Sequence, residues 1–200
     1  MTEARVGRLL GACLHQAISD VLPQRLDFYE EFLQPDGLRD GTIGLAPVTA
    51  VLGFLRTEGD AYDAVVGQAG RLAASWTLAS RGGWTRRLAM SLPRSLRVRL
   101  ALGVARQIVR DVFSASTASA RVGKARARLH VKASVFCRVR DTQTTPLCGF
   151  YKALALETLR QFDVGARATI ESCCAVQGAT CVVALDLAPA VAVVEPAMAA

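Results

Sequence analysis

Apolar residues at Val6, Leu9, Leu10, Cys13, Leu14 and Ala17 recur at three- and four-residue spacings. That repeat makes one apolar stripe and predicts a helix over 4–19. A short helix is expected over 26–33, closed by the turn Pro35-Asp36-Gly37. Pro47 suits the first turn of a helix running to about Arg56, where its fixed φ and missing N–H are tolerated. Asp60 caps the next helix, over 61–80, which Gly82-Gly83 breaks. From Pro93 to about Ser114, Leu96, Leu100, Val104, Ile108 and Val112 repeat every fourth position, with Arg97, Arg99, Arg106 and Arg110 placed around them. This reads as a helix packed on a core with a basic outer face, an arrangement that also allows peripheral membrane contact.

Beyond a small, polar link over 114–120 the period changes from helical to alternating. Arg126, Arg128 and His130 share one parity while Ala127, Leu129 and Val131 share the other, as in a half-buried strand over 124–140. A helix then starts at Thr145 or Pro146 and runs through Leu147, Tyr151, Leu154, Leu159 and Phe162. Two strands follow, over 166–173 and 181–187, joined through a Gln177-Gly178 turn. The order predicts an α+β fold, a helical N-terminal layer packed on a small antiparallel sheet. One domain over 1–187 is expected, with a helical part over 1–119, a strand–helix–hairpin part over 120–187, and a loose Ala- and Pro-rich tail over 188–200.

Charge alters the picture more than composition does. The chain has 200 residues, 52% hydrophobic and 20% charged, as a folded protein does. Its net charge of +7 is unevenly spread, because residues 81–140 hold fifteen Arg or Lys against Asp111 alone, an excess of +14. A basic middle between acidic ends suits an anionic partner, such as a carboxylated ligand, a membrane surface or an acidic protein. It has no recognisable nucleic-acid-reading motif, so no nucleic-acid partner is expected. No run approaches the roughly 18 apolar residues of a spanning helix, and charges interrupt the N-terminus where a signal peptide would be apolar. The expected location is cytoplasmic.

The segment ESCCAVQGATC, residues 171–181, concentrates a carboxylate and three of the six cysteines. A disulfide, a metal site and buried apolar packing are the three readings, and a reducing compartment disfavours the first. Cys148 heads a helix, Glu171 and Cys174 end a strand, and Cys181 begins its hairpin partner. Three thiolates and a carboxylate there would make a closed tetrahedral site for a structural Zn2+, stapling helix to hairpin. Reduced thiols packed as small apolar groups remain the alternative. Cys173, the strand neighbour of Cys174, should face the opposite way unless a bulge exchanges the two.

The segment PLCGFYKALALETLRQFDVGARATIESCCAVQGATC resembles the 4-vinyl reductase domain. That pattern has a Cys heading a helix, then Glu-x-x-Cys and a final Cys, positions matched here by Cys148, Glu171, Cys174 and Cys181. Upstream, GRLAASWTLASRGGWTRRLAMSLPRSLRVRLALGVARQIVRDVF is similar to the helical half of the stand-alone bacteriochlorophyll 4-vinyl reductase family. The resemblance implies the fold of trafficking-complex (TRAPP) subunits, often dimeric, with zinc at those four positions. It also implies a tetrapyrrole-binding accessory or carrier protein of bacteriochlorophyll biosynthesis, handling a magnesium-porphyrin or chlorophyllide in a pocket between helices and sheet. In that pocket His130 would be an axial ligand, Arg138 and Arg140 would meet propionates, and Trp76 and Trp84 would line the flat ring. A homodimer or a biosynthetic enzyme would be the protein partner. The family name implies an enzyme, yet no nucleotide cofactor or iron–sulfur motif is visible in the sequence. Two other functions stay open, a small-molecule-sensing module acting through a separate partner and a divinyl reductase fed by an external electron donor.

Overall fold

The computed structural model describes residues 5–33, 44–81, 89–139 and 142–188. The expected turn at 35–37, Gly82-Gly83, Trp84, Arg140 and the tail beyond Ala188 lie outside them.

Six α-helices and four strands are found among the described residues: α1 (Arg8–Val21), α2 (Leu26–Leu33), α3 (Leu45–Thr57), α4 (Asp60–Ser80), α5 (Arg94–Val112), β1 (Thr117–Val122), β2 (Arg126–Lys132), α6 (Gly149–Gln161), β3 (Ala166–Ser172) and β4 (Cys181–Leu187). The stripe predicted for α1 is buried apart from Leu9, and that predicted for α5 is buried only in its C-terminal half. In α1, Leu10, Cys13, Leu14, Ala17 and Ile18 are inside, and in α5, Val104, Ile108 and Val112 are inside while Leu96 and Leu100 are exposed. Gly59 rather than Asp60 precedes α4, with φ 63°, a left-handed conformation open to glycine. Asp60 and Asp63 instead occupy the first turn, where their charge complements the helix dipole.

The sheet is antiparallel in the order β1-β2-β4-β3. β1 corrects the expected polar link, since Thr117–Val122 is an edge strand paired with β2 from Thr117↔Lys132 to Val122↔Ala127. Its inward residues are only Ala118, Ala120 and Val122, half-buried under α5, which is too weak an alternation to announce a strand. In β2, Ala127, Leu129 and Val131 face the core, and Arg126, Arg128, His130 and Lys132 form the other face. The helices cover the inner face of the sheet, and the apolar side chains beneath them form one continuous buried cluster. At its centre Phe136 stacks on Phe150 with ring centroids 4.7 Å apart, and both meet Tyr151 edge-on.

Among the described residues, no helix is long and apolar enough to cross a membrane.

Candidate functional site

A β-bulge selects the cysteines that meet. β3 keeps register with β4 through Ile170↔Val183, and then slips so that Ser172 pairs with Val182. The extra residue is Glu171, and it reverses the alternation beyond it. Cys173 therefore turns inward, 3% exposed, while Cys174 is only half-buried at the side of the site. Three backbone N–H groups, from Val176, Gln177 and Gly178, then donate to the Cys173 carbonyl and coil the connection tightly. Gly178 fits closely there, for a Cβ would lie 2.2 Å from Ser172 Oγ, which would have to turn away, and 3.0 Å from the Cys173 carbonyl oxygen.

Three further thiols reach the same point. Cys181, the first residue of β4, faces inward beside Val131. Cys148 sits at the N-cap of α6, buried, where the positive end of the helix favours a thiolate. Cys137 comes from the connection after β2. The Sγ atoms of Cys137, Cys148, Cys173 and Cys181 all lie within 4.8 Å of one another, and that of Cys137 is 3.4 Å from both Cys173 and Cys181.

Neighbouring bonds hold the donors of these sulfurs in place. Tyr62 of α4 donates to the Leu147 carbonyl at 2.9 Å, and Gln143 N–H donates to Ala175 O at 2.8 Å. Arg56 of α3 donates to the Phe136 carbonyl at 3.1 Å, one residue before Cys137. The Cys174 N–H points at Cys181 Sγ, 3.5 Å away. Hydrogen bonding within the cluster separates the thiols. A bond from Cys148 pulls Cys137 below the ordinary thiol range, and one from Cys137 does the same for Cys173. Cys148 and Cys181 are pushed above that range, first by their bonds with Cys137 and further by burial. Cys13, alone in α1, is the packing thiol of the set, raised to about 12 by burial.

Two of the four ligands expected from the sequence are thus together, Cys148 and Cys181, and two are not. Glu171 stands on the outer face of the sheet, where Arg128 holds it through Nε at 2.7 Å and Nη2 at 3.2 Å. Its carboxylate lies below the ordinary range chiefly through that bond. Cys137 and Cys173 take the places assigned to Glu171 and Cys174. The Cys173 exchange was signalled by the adjacent pair, whereas Cys137 falls within the stretch 124–140 expected as one strand, which ends as β2 at Lys132.

Among the described residues expected to bind a tetrapyrrole, His130, Arg138 and Trp76 lie at separate places in the fold. His130 is on the outer face of the sheet, cross-strand from Ser119 and Val182, with its Nε2 buried and without a hydrogen-bond partner. Arg138 is exposed beside Val139 in a surface depression over the start of α3. Trp76 is 38% exposed on α4. The other histidine, His15, is bonded to Glu30 at 2.8 Å. The interior between α6 and the sheet, where the pocket was expected, is filled by Phe136, Phe150 and Tyr151.

No protein-family model matches the chain, and no curated protein does either. Its fold is that of H-NOX proteins. An H-NOX protein variant from K. algicida, unliganded in the Fe(II) state, is similar over 92% of this chain and 98% of its own, with TM-score 0.61 and 13% identity. The H-NOX protein from S. oneidensis in the Fe(II)NO ligation state is similar over 88% of this chain and 98% of its own, with TM-score 0.55 and 14% identity.

These likenesses correct the expected resemblance. The fold neighbours are H-NOX proteins rather than 4-vinyl reductases or trafficking-complex subunits. Bacteriochlorophyll biosynthesis and photosynthesis lose their only support with it. The structural zinc goes as well, since the neighbours are Fe(II) proteins and the carboxylate-containing ligand set is not assembled. An iron-bearing tetrapyrrole needs an enclosed apolar slot and an axial side chain. The described residues do not fit one, because aromatic rings fill the interior and neither imidazole is turned into it.

Proposed function

We propose that the chain is a small-molecule-responsive sensing module that acts through a separate partner protein, with the four-sulfur cluster as its reactive centre. The observation that carries this reading is the convergence of Cys137, Cys148, Cys173 and Cys181 within 4.8 Å, from a connection, a helix cap and both sides of a hairpin. Four sulfurs around one metal at the usual bond length of about 2.3 Å lie about 3.8 Å apart, close to the spacing here. A soft, thiophilic ion is the occupant that chemistry favours. The fold supports the sensing part, for one H-NOX neighbour holds Fe(II) with NO bound. In this chain thiolates stand in the metal-holding role, at a different place in the fold from the expected tetrapyrrole pocket. The surplus negative charge of such a site is offset by the N-terminus of α6 at Cys148, with the Arg56 guanidinium beside Phe136.

Titration of the reduced protein with Co(II) tests the reading. We expect saturation at equimolar metal, with sulfur-to-cobalt charge transfer and the visible bands of tetrahedral cobalt. Cys137→Ser and Cys173→Ser should lose that spectrum, and Cys174→Ser should keep it. No saturable spectrum, or an unchanged one in Cys137→Ser, would overturn the proposal.

A further inference from the structure

A second feature lies away from the sulfurs, in a groove of about 510 Å3 between α4 and α6 that ends against the start of β3. Its origin is a set of missing side chains. Gly67 on α4 and Ala153 on α6 leave the walls without bulk, Gly149 lies close against Val66 of α4, and Leu156, Val164 and Ala166 supply an apolar floor. A Cβ added at Gly67 would meet nothing nearer than Arg71 Nη1, at 3.7 Å.

The charges at the rim are unequal. Glu157 is saturated by Arg160, Gln161 and Ser75, and Asp163 is bound by Arg97 at 3.0 Å. Arg71 reaches only the side-chain oxygen of Gln68, at 2.8 and 3.0 Å. Among the described residues neither Arg71 nor Lys152 has a carboxylate partner. Two exposed cations without a carboxylate partner, one on each wall, thus overlook an apolar floor in a cavity within the usual size range for small ligands, about 300–1,000 Å3.

We infer that this groove binds an organic acid with a medium-sized apolar body, its carboxylate held between Arg71 and Lys152. The apolar part would lie along Leu156, Val164 and Ala166, and a guanidinium on α4 with an ammonium on α6 would fix one anionic end. This goes beyond the sensing proposal by adding a second site apart from the sulfurs, and its test does not need the sulfur site to be loaded.

Isothermal titration of the reduced full chain with decanoate and with 2-naphthoate, against decanol and 2-naphthol, reads both the class and its aliphatic or aromatic form. At least one acid should bind saturably and equimolarly, and its uncharged analogue should not. Arg71→Ala and Lys152→Ala should each weaken the acid about tenfold, the effect of one charge-assisted hydrogen bond. Gly67→Leu should abolish binding with an unchanged or raised melting temperature, since leucine fills the groove and favours the helix. Cys137→Ser, which removes the metal site, should leave acid binding intact. The inference fails if neither acid binds, if the alcohols bind as well as the acids, or if Gly67→Leu binds like the parent. A failure confined to these titrations leaves the cobalt result standing, and the reverse holds as well.

Discussion

At the scale of single residues, the identity of the site depends on Glu171. Because it is the bulged residue, the alternation that would have sent Cys174 inward sends Cys173 instead. The turn that follows is closed by Gly178, which leaves no room for a methyl group between Ser172 Oγ and the Cys173 carbonyl. Gly178→Ala is therefore expected to cost about 1–3 kcal/mol as Ser172 Oγ turns away and the Cys173 carbonyl is crowded, and to weaken Co(II) binding by moving Cys173. Thermal unfolding and the cobalt titration of the variant check the two effects together. A stable variant with parental cobalt affinity would mean that the turn does not position the sulfur.

At the scale of elements, the contact of α4 with α6 is set by another glycine. A Cβ on Gly70 would lie 2.4 Å from the Phe150 carbonyl and 3.1 Å from the Leu154 backbone nitrogen, so the helices would have to part. Gly70→Ala should destabilise the fold by about 2 kcal/mol despite alanine's better helix propensity, a loss of about 4–8 °C in melting temperature. The same pair of helices carries a pH dependence. Burial disfavours the Glu157 charge, but bonds from Arg160, Gln161 and Ser75 outweigh it and hold the carboxyl below its ordinary value of 4.5. The stability this adds is fully present above that value and is lost as pH falls through the lower, folded one. Between about pH 5 and about pH 3, Glu157→Gln should therefore lose less melting temperature than the parent, and parallel losses would contradict the assignment.

Much of this element level was legible in the sequence. Apolar spacing marked α1, α5, α6 and the start of β2, whose buried faces leave a periodic trace, whereas α2, α3, α4 and the hairpin of β3 and β4 were marked by Pro, Gly and Asp at their ends. β1 left none, since its inward alanines read the same in a link as in an edge strand. Cys148 and Cys181 were legible because helix start and hairpin start are themselves sequence signals. Cys137 was not, for its role comes from where the β2–α6 connection lies in space. Glu171 misled because a carboxylate near thiols looks like a ligand until Arg128, forty-three positions away, claims it.

At the scale of the whole molecule, the four sulfurs join segments that are far apart in sequence. Cys137 and Cys181 are separated by forty-four positions, with α6 and β3 between them. Each sulfur arises where the buried cluster meets an irregular connection, so an ion held by all four would bind the native arrangement and not the unfolded chain. Such selective binding stabilises by about 4 kcal/mol when free metal is a thousandfold above its dissociation constant, or on the order of 10 °C for a chain of this length. Loading the reduced protein with Co(II) should raise its melting temperature by that order, and a chelator should reverse the gain. In Cys137→Ser neither addition should move the transition, while in Cys174→Ser both should act as in the parent. If cobalt raised the melting temperature equally in all three proteins, the ion would be stabilising the fold from some other place, and the cluster would be no more than four packed thiols.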